Sequence, residues 1–142
     1  KKMRDIEKIY GITRITTYRK FSKKVYDLKK ILKKKILILK NNQNIIFGYG
    51  ASAKGNVLLN FCDIDNKFLD FITDTTKMKQ GKFTPGTKIK IINPKNRPKN
   101  NSKMIALLLA WNYKTAIMQN EKKFLKEGGK FLIPIPKPRI VS

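Results

Sequence analysis

The chain of 142 residues predicts an α/β fold: a three-layer domain with a mainly parallel sheet of about five strands, preceded by an amphipathic N-terminal helix. Three observations carry that expectation. An apolar stripe at helical spacing occupies residues 18–40, five short runs rich in Ile, Phe and Leu follow it, and helical or loop segments separate the runs. Crossovers of that length suit parallel neighbours, and a parallel sheet needs cover on both faces. At 41% hydrophobic content the chain suffices for one core and is short for two.

Residues 1–17 hold Gly11 and a Thr-rich stretch, so they read as a loose lead-in or linker, leaving 18–142 as the domain. Within 18–40, Phe21, Val25, Leu28, Leu32, Ile36 and Leu39 recur at steps of four and three, with Lys23, Lys30, Lys33 and Lys34 largely on the other side. The polar cluster Asn41 to Asn44 ends this helix. Strands are expected at 45–49, 68–73, 89–92, 104–110 and 131–135, and helices at 53–62 and 113–127. Asn112 is the expected N-cap of the second helix, and Gly128 and Gly129 its stop. Pro94 and Pro98 limit the third connection to a short helix, while Pro134 and Pro136 suit an edge strand. The small sheet that accommodates all of this is Rossmann-like.

Composition removes several chemistries. Cys62 is the single cysteine and there is no histidine, which excludes disulfides within the chain, Cys- or His-based zinc sites and imidazole catalysis. A lone cysteine fits a reducing cytoplasm, no apolar run approaches a bilayer span, and no secretory pattern opens the chain. The net charge of +24 would attract any polyanion; residues 1–40 carry 15 Lys or Arg against Asp5, Glu7 and Asp27. Lys, Asn and Ile are all abundant, a bias that AT-rich codons produce by themselves, so solvated lysines are favoured over a nucleic-acid stripe.

The informative motif is Gly48-Tyr49-Gly50-Ala51-Ser52-Ala53-Lys54-Gly55-Asn56, between the first strand and the next helix. Gly48, Gly50 and Ala53 satisfy the G-x-G-x-x-G/A spacing of a nucleotide-binding turn, in which glycine permits a tight corner and the helix N-terminus attracts phosphate. It is not a P-loop, because Lys54 precedes Gly55, and Ser52 lacks a partner base. Asp74, about 20 residues on, stands where such folds place an acid for ribose hydroxyls, with Asp70 a rival. The loop from Asp74 to Lys88, with Lys79, Gln80 and the Pro85-Gly86 turn, is long enough to be a binding loop. Trp111 and Asn112 close the fourth strand at the carboxyl edge of the sheet, where ligands of open α/β sheets sit. No catalytic residue is identified.

These blocks, with Lys79-Gln80-Gly81-Lys82, Pro85-Gly86-Thr87, Leu109-Ala110-Trp111-Asn112 and Gly128-Gly129-Lys130-Phe131, resemble the C-terminal domain of SAM-dependent sugar C-methyltransferases acting on nucleotide-linked deoxysugars. The resemblance implies a domain that binds the nucleotide-sugar substrate and faces an upstream SAM-binding domain. It further implies that SAM and zinc belong to such upstream parts, so that this chain is expected to bind neither and not to transfer methyl groups by itself. The chain departs from the pattern at Ser102-Lys103, where an acidic pair is usual, and at Lys114 to Ala116, where a more acidic stretch is usual. Two other readings stand beside this one: a stand-alone dinucleotide- or CoA-binding module, and a basic nucleic-acid-binding protein.

Overall fold

The computed structural model describes residues 2–99 and 101–142. One six-stranded sheet organises them, in the order β3-β2-β1-β4-β5-β6. The strands are β1 (Ile45–Tyr49), β2 (Ile72–Thr73), β3 (Ile91–Ile92), β4 (Met104–Leu108), β5 (Lys130–Ile133) and β6 (Arg139–Val141). All neighbours are parallel except β5 and β6. From β1 the chain steps outward through β2 to β3, then returns to the other side of β1 as β4. The β1–β4 boundary is therefore the switch point, where connections leave the carboxyl ends in opposite directions and open a crevice.

Helices α2 (Ile15–Asn41) and α3 (Ala53–Cys62) cover one face. Leu32 and Ile36 of α2 and Leu58, Leu59 and Cys62 of α3 join Ile46, Ile72, Leu107 and Leu109 in one cluster. The opposite face packs Phe47, Met104, Ala106, Leu108, Phe131 and Ile133 against Phe124. Phe124 belongs to α5 (Lys122–Lys126), which follows α4 (Lys114–Asn120). Full burial of one Leu or Phe stabilises by about 1.5–3 kcal/mol, so these clusters supply the main driving force for the layered arrangement.

Several expectations need correction. The segment 1–17 carries helical structure: α1 (Lys2–Ile9) lies within it, Gly11 turns the chain at φ +63°, and α2 starts at Ile15. The second strand is shorter than 68–73: the amides of Phe68 and Leu69 turn back to Asp65 O, and the strand itself is Ile72–Thr73. The third likewise shrinks to Ile91 and Ile92. The helix at 113–127 is broken at Glu121 (φ −99°, ψ 25°), whose side chain is drawn inward to Arg97 and Tyr49. Asn112 lies in a 3-10 turn and does not cap α4, whose cap position is Tyr113 with no side-chain bond. β5 is not an edge, since β6 pairs with it and the prolines occupy the connection. Among the described residues, no helix is long and apolar enough to cross a membrane.

The apolar stripe of α2 is only half used. Leu32 and Ile36 are fully buried, whereas Ile15, Tyr18 and Phe21 on the earlier turns are 63%, 52% and 66% exposed. Helix α1 buries nothing. Phe21→Ser is therefore expected to move the unfolding free energy of the isolated chain by less than about 0.5 kcal/mol, measured by urea titration.

Candidate functional site

The glycine corner is built by long-range ties. Gly48 lies in β1 without room for a side chain, since a Cβ there would sit 2.7 Å from Ile72 Cγ1 and 2.8 Å from Leu109 Cδ1. Gly50 makes the turn with φ +82°, a conformation glycine adopts without strain. Ser52 is the N-cap of α3: its Oγ accepts from the Gly55 amide at 3.0 Å and donates to Leu109 O at 3.0 Å, joining α3 to the end of β4. Gly55 brings α3 onto β4, because a Cβ there would meet Leu109 Cβ at 2.6 Å. Gly55, and not Ala53, thus occupies the helix-packing place of the fingerprint; Ala53 is exposed.

Most of the amides expected to hold an anion are already paired. Gly50 N–H donates to Thr73 O, Ala51 N–H to Asp74 Oδ2, Ser52 N–H to Gly50 O, Gly55 N–H to Ser52 Oγ and Asn56 N–H to Ser52 O. Among the described residues, only the Ala53 and Lys54 amides of this loop lack a protein acceptor. They form the first turn of α3, where the positive end of the helix dipole is concentrated.

Asp74 is 8% exposed and serves as a latch. Its Oδ2 accepts from Ala51 N–H at 2.8 Å, its Oδ1 from Thr76 N–H at 2.8 Å, and Lys79 Nζ lies 3.3 Å from Oδ2. Burial, the largest influence, raises its pKa, but the donors from Thr76, Lys79 and Ala51 together outweigh it and hold the carboxyl below its ordinary range. Lys79 also donates to Ala51 O at 2.9 Å, so residue 51 is gripped at both its amide and its carbonyl. Gln80 donates to Asp74 O and accepts from Asn93, fastening the same loop to the ends of β2 and β3. Asp70 is at the other end of the sheet, bonded to Ile46 N–H and Lys40, which removes it as a rival.

Between the first turns of α3 and the 77–85 loop lies a cleft of about 350 Å³, within the range of small-molecule sites. Ala51, Ser52, Ala53, Asn56 and Lys79 line it, as the motif reading expects. Lys82, Phe83, Thr84 and Pro85 form the opposite wall, and Leu59, Ile72, Ile91 and Leu109 its apolar depth. Gly48, Tyr49, Gly50, Lys54, Gly55, Asp74, Gln80, Trp111 and Asn112 do not line this cleft. The Tyr49 hydroxyl points to the other face of the sheet and donates to Glu121 Oε1 at 3.1 Å. Its pKa is pushed up to about 12, first by burial and then by Glu121, with Arg97 opposing. Trp111 packs against both hydrophobic clusters, and Asn112 is exposed. Lys82 stands in the Lys79-Gln80-Gly81-Lys82 block of the family resemblance, whereas Phe83 was recognisable only as a member of a long Gly- and Pro-bracketed loop.

A larger hollow of about 670 Å³ on the opposite face is lined by Arg97, Glu121, Phe124 and neighbours. Arg97 is committed there, ion-paired to Glu121 at 3.3 Å and lying 4.6 Å from the Phe124 ring centre. The smaller cleft is lined by Ala53, one of the two residues with a free amide. The residues present do not fit a metal: among the described residues no three His, Cys, Asp or Glu converge, and Cys62 is buried with its thiol pKa raised by that burial.

Comparison with known proteins gives two findings. A family described as the C-methyltransferase C-terminal domain matches residues 1–136. The C-methyltransferase NovU of Streptomyces niveus is 38% identical over 136 residues, which are 96% of this chain and 32% of that protein. The chain thus spans about a third of the relative's length.

Proposed function

Because the chain belongs to the family of C-methyltransferase C-terminal domains, we propose that its cleft binds the nucleotide-sugar on which such an enzyme acts. The observation that supports this reading is the pair of unpaired α3 amides, at Ala53 and Lys54, beside a cleft walled by Lys79, Lys82 and apolar side chains. Two N–H groups at a helix start and the Lys82 ammonium suit a diphosphate, and the apolar depth suits a nucleoside or deoxysugar ring. Methyl transfer from SAM, and any zinc, belong to other parts of the enzyme in this reading. Those parts dock on the bare stripe of Ile15, Tyr18 and Phe21, which prolongs the buried seam of α2 beyond the domain's own core.

Gly50 is a poor probe of the proposal, because φ +82° would strain any replacement. Ala53→Pro is the better one. It deletes one free amide at the first helical position, where proline is tolerated, and Ser52 before it already has the extended φ −86°, ψ 154° that a following proline requires. Calorimetry with UDP-, dTDP- and GDP-sugars is expected to show binding by the wild type and about tenfold weaker binding by Ala53→Pro with unchanged thermal stability. Preference for NAD would favour a dinucleotide module. Steeply salt-dependent binding of single-stranded DNA in its place would favour the charge-driven reading.

A further inference from the structure

Asn56 stands one turn into α3 and lines the cleft. Its Oδ1 is buried and accepts no hydrogen bond, the one side-chain polar atom in that condition among the described residues. The neighbouring donors are engaged elsewhere: the Ser52 hydroxyl bonds Leu109 O, and Asn60 Nδ2 bonds Asn56 O and Pro85 O. A buried carbonyl without a donor is costly, and an apolar residue of similar size would avoid the cost. Asparagine at such a place is accounted for when a ligand supplies the missing donor.

We infer that the Asn56 side chain turns toward the cleft on ligand binding and that its Oδ1 then accepts a hydrogen bond from a hydroxyl of a sugar ring joined to the bound diphosphate, an assignment that rests on the nucleotide-sugar reading of the cleft. Asn56 lies three helical steps beyond the free amide of Ala53, about 4.5 Å along the axis. With the diphosphate at the first turn, the group lying alongside the next turn is the adjoining sugar ring, and a base lies further out. An acceptor there selects for a ring hydroxyl, either on the ribose or on the second sugar.

Asn56→Leu and Asn56→Ala, compared with wild type for UDP, dTDP and UDP-glucose by calorimetry and for melting of the unliganded chain, test the assignment. Both variants are expected to melt at the wild-type temperature or above, since the unsatisfied oxygen is gone, and to lose about tenfold in affinity for UDP-glucose. A ribose 2′-hydroxyl as donor extends that loss to UDP but not to dTDP. A hydroxyl of the second sugar confines it to UDP-glucose. Binding of all three ligands within twofold of wild type by either variant overturns the assignment while leaving the site reading intact. A lowered melting temperature in both variants also overturns it, by making Asn56 a structural residue. If the wild type binds none of the three, the site reading fails and the assignment with it.

Discussion

Asp74→Ala is expected to lower the unfolding free energy by about 2–4 kcal/mol and to loosen the glycine corner, because it leaves two amides without an acceptor at a site only 8% exposed. The ion pair with Lys79 adds less, since the lysine side chain is 42% exposed and water screens it. Asp74→Asn separates the contributions. The two carboxylate oxygens accept from different amides, Oδ2 from Ala51 and Oδ1 from Thr76, so an asparagine amide satisfies one and opposes the other donor to donor. About half of the alanine effect should remain, read by urea unfolding and by hydrogen exchange at Ala51 and Thr76. The pH dependence has a definite sign. The folded pKa lies below the ordinary value, so the stabilisation is complete above the unfolded value of about 3.9 and is lost as pH falls through the lower folded value. Acid should therefore release the wild-type corner below about pH 4, and that acid step should be missing from Asp74→Ala.

Asp74 also shows how far the sequence could be read. Its place, just past β2 and across from the glycine corner, follows from spacing alone; its use as a latch depends on where Ala51, Thr76 and Lys79 come to rest. The same limit applies to the amides of residues 50–56. A strand-glycine-helix pattern announces a helix start, but which N–H groups stay free is decided by Thr73 O, Asp74 and the Ser52 hydroxyl. Helix α3 was legible to its boundaries because its cap, apolar positions and end are local signals. β2 and β3 were overcalled because apolar runs at 68–73 and 89–92 record burial, and Leu69 and Ile89 are buried without belonging to a strand. β6 escaped because Arg139, Ile140 and Val141 give no alternation of buried and exposed positions, and Pro136 and Pro138 precede them. Helix α1 escaped for a different reason: its apolar side chains find no core in this domain, so nothing but local pattern marks it.

Gly55→Val is expected to cost about 3 kcal/mol and to open the cleft from its α3 side. Helix propensity alone predicts the opposite sign, since glycine within a helix is about 1 kcal/mol worse than alanine. Packing decides. A Cβ at residue 55 would stand 2.6 Å from Leu109 Cβ and 3.0 Å from Ser52 Oγ. Leu109 Cβ is fixed to its backbone, so no rotamer change relieves the overlap, and α3 must move away from β4. That movement separates Ser52 Oγ from Leu109 O, loses the cap of α3, and displaces the Ala53 and Lys54 amides together. Stability and nucleotide-sugar affinity should thus fall in parallel for Gly55→Val, and Gly55→Ala should lie between it and wild type in both. Thermal melting and calorimetry on the three proteins check the order. A Gly55→Ala chain more stable than wild type would mean that helix propensity outweighs the α3–β4 contact, and that the corner is not held by close approach at residue 55.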